Sequence, residues 1–367
     1  MGALSTFKKE SRKCPVCENQ FKEEFMLTGS MRQVSINMNE ELRTFYKDYQ
    51  GIPVAPFVYE VITCPKCYYS SLISDFNSLY QQKQNYTEKE TELIKNLRIT
   101  AIKNQNQRKE LIKNISGVNF EESKNLETSL ASFILAIDCY NYFNEKSLPD
   151  TKKAVCAIRA AWLAGDLNLS VLQDSYYKEA HKYYSLIANK PDDSGGFKLG
   201  PDWGNNFGFE GVRFIKVMLD LRFLDEIENI KQRFEVMQNV RATFSKIRGL
   251  GKASQNKRGP LLKIAEDMFE KVQPIYDKLK SKVESGDYSD SADVKLGDKI
   301  AISSVSVQPE EPDKSGGDAE KNETPTEEIN IYNKAATEIV KYALRAGVKR
   351  DSIKDIEKIL MKYFEEK

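Results

Sequence analysis

The phrase Cys-Pro-x-Cys occurs twice, as "KCPVCENQF" at 13–21 and "TCPKCYYSS" at 63–71, with 46 residues between Cys17 and Cys64. These two pairs take four of the six cysteines in 367 residues. Two residues between thiols let both sulfurs of one turn reach a single ion. Two such turns complete a tetrahedral tetrathiolate, the closed geometry of structural zinc. Whatever lies between must therefore fold so that Cys64 and Cys67 return to Cys14 and Cys17. Proline in each first turn pre-sets φ, and each pair adjoins a strand-like run. Zinc bound in this way contributes about 10–16 kcal/mol and is coupled to folding, enough to hold a module too small for a core of its own. Two disulfides would need an oxidising compartment, whereas "MGALSTFKKESRK" lacks the apolar stretch of an export signal. A thioredoxin-type pair accounts for one CxxC and leaves its twin unexplained. Spacing alone suits either zinc or a four-thiolate iron–sulfur cluster. The expectation is one structural Zn2+ held by Cys14, Cys17, Cys64 and Cys67, with no open coordination position and so no catalytic role.

Around these pairs, residues 1–70 read as a small β-rich, zinc-ribbon-like module. "NQFKEEFML" and "MRQVSINM" flank the turn "TGS", and "FVYEVIT" is rich in β-branched and aromatic residues. "ELRTFYKDYQGIPVAP" connects them and ends in Gly and Pro punctuation. From 71 to 283 apolar residues recur at three- and four-residue steps, the pattern of helices. "LETSLASFILAIDCYNYF" sets Leu130, Phe133, Ile134, Ile137, Cys139 and Tyr140 along a wide apolar face. The next helix starts after Pro149-Asp150 and ends at Gly165 as its cap; a further one spans "VLQDSYYKEAHKYYSLIANK". Residues 211–247 read as two helices broken near Asp225, followed by "LLKIAEDMFEKVQPIYDKLKSKV". Short connections make such helices antiparallel neighbours. Residues 284–328 carry 13 acidic residues against four lysines and no periodicity, and are expected to be a disordered acidic linker. The net charge of +1 thus hides a net −9 here and about +10 elsewhere. Residues 329–367 read as a terminal helical hairpin. The fold class expected is mainly α with a small β-rich zinc module.

"CPVC…F" followed by "TFYKDYQGIPVAPFVYEVITCPKCYYSSLISDF" resembles the uncharacterised bacterial family DUF2225, as does "AIRAAWLAGD" followed by "YYKEAHKYYSLI". The resemblance covers residues 12–190 well and 210–283 loosely. It implies a cysteine-knuckle module joined to a helical region similar to tetratricopeptide repeats, with Cys14, Cys17, Cys64 and Cys67 as metal ligands, and it carries no established activity. One departure stands out. Such knuckles commonly have Gly after the second Cys, where this chain has Glu18 and Tyr68; if that position needs positive φ, each is strained.

No other chemistry emerges. Cys139 and Cys156 fall on apolar helical faces and read as core thiols. His181, the single histidine, lies in "KEAHKYY" and reads as a surface or groove residue. HExxH and P-loop patterns do not occur, and the glycines of "SGGFKLGPDWGNNFGFEG" miss the GxGxxG spacing and follow a helix. The expectation is a non-enzymatic, cytoplasmic scaffold whose helical groove, with Trp162, Tyr176, Tyr177, Tyr183 and Tyr184 in or beside it, holds a partner protein or peptide. The alternative is a nucleic-acid- or ribosome-associated zinc protein. It would use the acid-free basic segment 240–263, in which Arg248, Lys252, Lys257 and Arg258 would contact phosphates.

Overall fold

The computed structural model describes residues 7–26, 31–48, 53–81, 88–143, 148–189, 207–253 and 259–286. All lie within the first of two compact units, Met1–Val305. The expected acidic linker, apart from its first residues 284–286, and the expected terminal hairpin lie outside the described residues.

Each cysteine pair forms the tip of an antiparallel hairpin. Strands β1 (Phe7–Lys13) and β2 (Gln20–Met26) pair with Lys13 opposite Gln20. Strands β6 (Val61–Thr63) and β7 (Ser70–Leu72) pair with Thr63 opposite Ser70. Between them β3 (Met31–Met38), β4 (Thr44–Asp48) and β5 (Pro53–Val54) make a three-stranded antiparallel sheet in that order. Two local expectations are corrected. The connecting stretch contains a strand, β4, in which Thr44 and Tyr46 are buried and Phe45 is half-buried. "FVYEVIT" is not one strand: Pro56–Glu60 is a 3-10 helix, because a proline at the first helical position already has the φ the turn needs. Only Val61–Thr63 is extended.

The remaining described residues are mainly helical, in the order α1 (Ile73–Gln81), α2 (Glu88–Lys103), α3 (Gln105–Ile112), α4 (Leu126–Cys139), α5 (Pro149–Asp166), α6 (Ser170–Ala188), α7 (Gly208–Arg222), α8 (Ile230–Ala253) and α9 (Gly259–Ser285). A capping box opens α4. Asn125 Oδ1 accepts from the Thr128 amide at 2.7 Å, and Thr128 Oγ1 accepts from the Asn125 amide at 3.0 Å. The wide apolar face expected of α4 proves to be its whole circumference, for every residue from Thr128 to Ile137 is buried. A helix buried all round is a core element, and here β6 and β7 cover one side while α3 and α5 cover others. From α4 onward each helix packs on the next. The break expected near Asp225 is the 3-10 turn Leu224–Glu226.

Gly165 is not the cap of α5. The helix runs through it to Asp166, and the left-handed residue is Asn168, at φ 57°. Gly165 instead faces α6, where a Cβ would meet the side-chain amide of Gln173 and oblige that flexible side chain to move.

The apolar core is continuous between strands and helices. Leu42, Phe57, Val58, Val61 and Leu72 belong to the same buried cluster as α4 through α9. Phe57 lies edge-on to Trp162 at 5.7 Å between ring centroids. Charge pairs reinforce this junction. Arg43 makes a bidentate pair with Asp166 (3.0 and 2.6 Å), Arg159 meets Glu60 at 2.7 Å, and Lys152 meets Asp75 at 2.8 Å. The Tyr177 hydroxyl donates to the buried Glu41 at 2.6 Å. Among the described residues, no helix is long and apolar enough to cross a membrane.

Candidate metal centre

The two hairpin tips are built alike. In the first, the Cys14 amide donates to the Asn19 carbonyl (2.8 Å) and the Glu18 amide to the Cys14 carbonyl (3.1 Å). In the second, the Cys64 amide donates to the Tyr69 carbonyl (2.9 Å) and the Tyr68 amide to the Cys64 carbonyl (2.9 Å). This winding brings Glu18 and Tyr68 to φ 61° and 57°. The position where glycine is customary is therefore left-handed in both knuckles, and two side-chain-bearing residues occupy it at a steric cost.

The tips face each other and cross-pair. Cys14 Sγ lies 3.6 Å from Cys67 Sγ, and Cys17 Sγ lies 3.6 Å from Cys64 Sγ. All four sulfurs lie within 4.8 Å of one another. Four thiolates at about 2.3 Å from one tetrahedral ion would stand about 3.8 Å apart, so the set fits a single ion. The cysteines are free thiols, not disulfides. Cys14, Cys64 and Cys67 are buried and Cys17 is half-buried. The Val16 amide points at Cys14 Sγ from 3.4 Å, as expected of a knuckle turn that stabilises thiolate. Hydrogen bonds from Cys14 and Cys67 hold the Cys64 thiol well below the ordinary thiol range, while Cys64 holds Cys14 above it, and Cys14 with Cys64 holds Cys67 above it. Four sulfurs this close resist joint ionisation, and a divalent cation is what would let all four become thiolates.

The bed of the centre is apolar and draws on distant segments. Ile62, Tyr69, Phe76 on α1, Leu97 and Ala101 on α2, and Cys139 on α4 pack around the cysteines. On α3, Gln105 Nε2 donates to the Lys66 carbonyl at 2.8 Å, and Arg108 donates to the Cys67 carbonyl. Sequence reading missed Arg108. It stands in the polar run "QNQRKELIK", where a charge looks solvated.

The other expected residues fall as follows. Cys139 and Cys156 are fully buried, and burial pushes each thiol up to about 12. His181 is partly exposed; its Nε2 lies 2.8 Å from Asp220 Oδ1, and Lys216 Nζ donates to the other oxygen of Asp220 at 2.6 Å. Among the described residues the aromatic set packs in the core: Trp162, Tyr177, Tyr183 and Tyr184 are buried, and Tyr176 is half-buried against them. Their periodicity marks an apolar face, and α5, α6 and Phe57 use that face to pack. Arg248 lays its guanidinium over the Phe269 ring at 4.6 Å. Lys252 lies on α8, with a side chain outside the described residues, as Lys257 and Arg258 are altogether.

Fold and site together define a mainly helical protein with a four-cysteine, metal-competent centre in an N-terminal strand region. The chain belongs to the family described as an uncharacterized protein conserved in bacteria (DUF2225), whose family model matches residues 7–272. An uncharacterized protein of Borreliella burgdorferi is 30% identical to it over 295 residues, which is 76% of this chain and 100% of that protein. No solved structure matches the chain.

Proposed function

We propose that this protein is a non-enzymatic interaction scaffold, in which one structural zinc ion fixes the strand region and a tetratricopeptide-like succession of helices presents a surface to a partner protein or peptide in the bacterial cytoplasm. The enclosure of the four sulfurs carries this reading. A single ion held by four thiolates has no open position for water or substrate, so its contribution is to folding. An iron–sulfur cluster would interpose its own irons and sulfides between the thiolates and hold them farther apart than 4.8 Å. With the aromatic residues committed to the core, the partner surface on this reading includes α2 and α3. Ile99 and Ile102, three residues apart on one face of α2, are 56% and 50% exposed, and Leu111 on α3 is 46% exposed. Affinity capture with the full chain, with a chain lacking residues 284–367, and with Ile99→Asp/Ile102→Asp tests the proposal. A companion retained by the first and lost in the isoleucine variant supports it; recovery of no stable companion by any of the three removes it.

A further inference from the structure

Arg108 heads the fully buried side chains by volume and is 0% exposed. Its Nε and Nη2 donate to the Cys67 carbonyl at 3.3 and 2.8 Å, Nη2 also donates to the Ala101 carbonyl, and Nη1 donates to the Tyr142 hydroxyl at 3.3 Å. All three acceptors are neutral. The carboxylate these bonds lead to is Asp138, one phenol away, which accepts from the Tyr142 hydroxyl at 2.7 Å. A guanidinium does not lose its proton in a protein, and a charge buried this deeply calls for an opposite charge near it. The acceptor that takes two of its nitrogens belongs to Cys67, one of the four clustered cysteines. Four thiolates around a divalent cation carry a net charge of about −2.

We propose that Arg108 is the buried counter-ion of the metal centre, so that metal loading and the docking of α2 and α3 against the second knuckle are one coupled event. The inference rests on the reading of a metal-loaded centre given above. With metal bound, the cation beneath Cys67 offsets the excess negative charge of the tetrathiolate and holds the knuckle carbonyl in place. Without metal the second knuckle is not fixed at the centre, and the grip of α3 on its Cys67 carbonyl weakens. Outer-shell groups of this kind typically change metal affinity 10–100-fold.

The test measures zinc affinity by competition with a chromogenic chelator on the full-length chain, for wild type, Arg108→Met, Arg108→Lys and Asp138→Asn. Arg108→Met is expected to weaken zinc binding by about 10–100-fold, with Arg108→Lys, which keeps the charge, and Asp138→Asn both staying within about threefold of wild type. Unchanged affinity in Arg108→Met overturns the inference, as does a loss in Asp138→Asn equal to that in Arg108→Met, which would make Asp138 the balancing anion. Should Arg108→Met fail to fold, Arg108→Lys decides: affinity within about threefold supports the charge role, and a loss of about tenfold or more overturns it. Wild-type protein that takes up no zinc removes the premise and the inference together, whereas zinc uptake with no effect of Arg108→Met removes the inference alone.

Discussion

Glu18 and Tyr68 show how a backbone requirement can outweigh a side-chain preference. Both knuckles turn through positive φ, at 61° and 57°, and the left-handed conformation costs a non-glycine residue about 1–2 kcal/mol. Glycine would relieve this at an entropic cost of about 0.5–1 kcal/mol. Glu18→Gly is therefore expected to raise the stability of the metal-loaded protein by up to about 1 kcal/mol, read from urea unfolding. Tyr68→Gly is not expected to gain, because the Tyr68 ring packs edge-on against Phe120 at 6.1 Å. Cys64→Ser is expected to abolish stoichiometric zinc, measured by elemental analysis, while Cys156→Ser retains it. Glu41 supplies a pH signature. Burial holds its carboxyl above the usual carboxylate range, against the opposing pull of Tyr177 and Arg222. Its favourable contribution to stability is thus fully present below the ordinary glutamate pKa and is lost as pH rises through the folded-state value. Glu41→Gln keeps an acceptor for the Tyr177 hydroxyl and removes the charge. Its stability relative to wild type should rise between pH 4 and pH 8, as denaturant titrations at the two values would show.

At the scale of elements, what was legible depended on how far a residue's determinants lie along the chain. The four clustered cysteines were legible because each pair is local and the spacing itself encodes the turn. The helices after residue 71 were legible from periodicity, down to the break at Asp225. Which element covers an apolar face is not written in that face. Trp162 and its neighbouring tyrosines read equally well as groove or core, and the answer is supplied by Phe57, about a hundred residues earlier. The 3-10 turn Pro56–Glu60 was hidden for a related reason: its composition favours a strand, and the proline at its start prevails. Arg108 was illegible because its burial is decided by Cys67 and Ala101, not by its own polar surroundings. Phe57 is the wedge between the 3-10 turn and α4–α5, lying 6.1 Å from Phe133 and 5.7 Å from Trp162. Phe57→Ala is expected to cost about 3–5 kcal/mol in chemical denaturation, the range for a large buried aromatic.

On the scale of the whole molecule, strands and helices among the described residues pack together in two buried clusters, one around the cysteines and one that runs on through the helices. The cluster that holds Leu42 and Val61 also holds Leu261 and Met268, and the pairs Arg43–Asp166, Arg159–Glu60 and Lys152–Asp75 span the same junction. Sequence reading set the strand and helical regions down separately, because cysteine spacing and helical periodicity change abruptly near residue 70. Removing the metal with a chelator is accordingly expected to lower the melting temperature of strands and helices together. Calorimetry should record one cooperative transition for residues 7–286 in both states, and a separate low-temperature transition of the hairpins would contradict the shared core.

The contact between Phe57 and Trp162 has a practical corollary. The chain has two tryptophans, Trp162 and Trp203. In a Trp203→Phe background, all indole emission would arise from a ring packed against Phe57 of the strand region that carries the cysteine cluster. Loosening of that region would admit water to the indole and shift its emission to longer wavelength, so on the proposed reading the indole would report optically whether an ion is held.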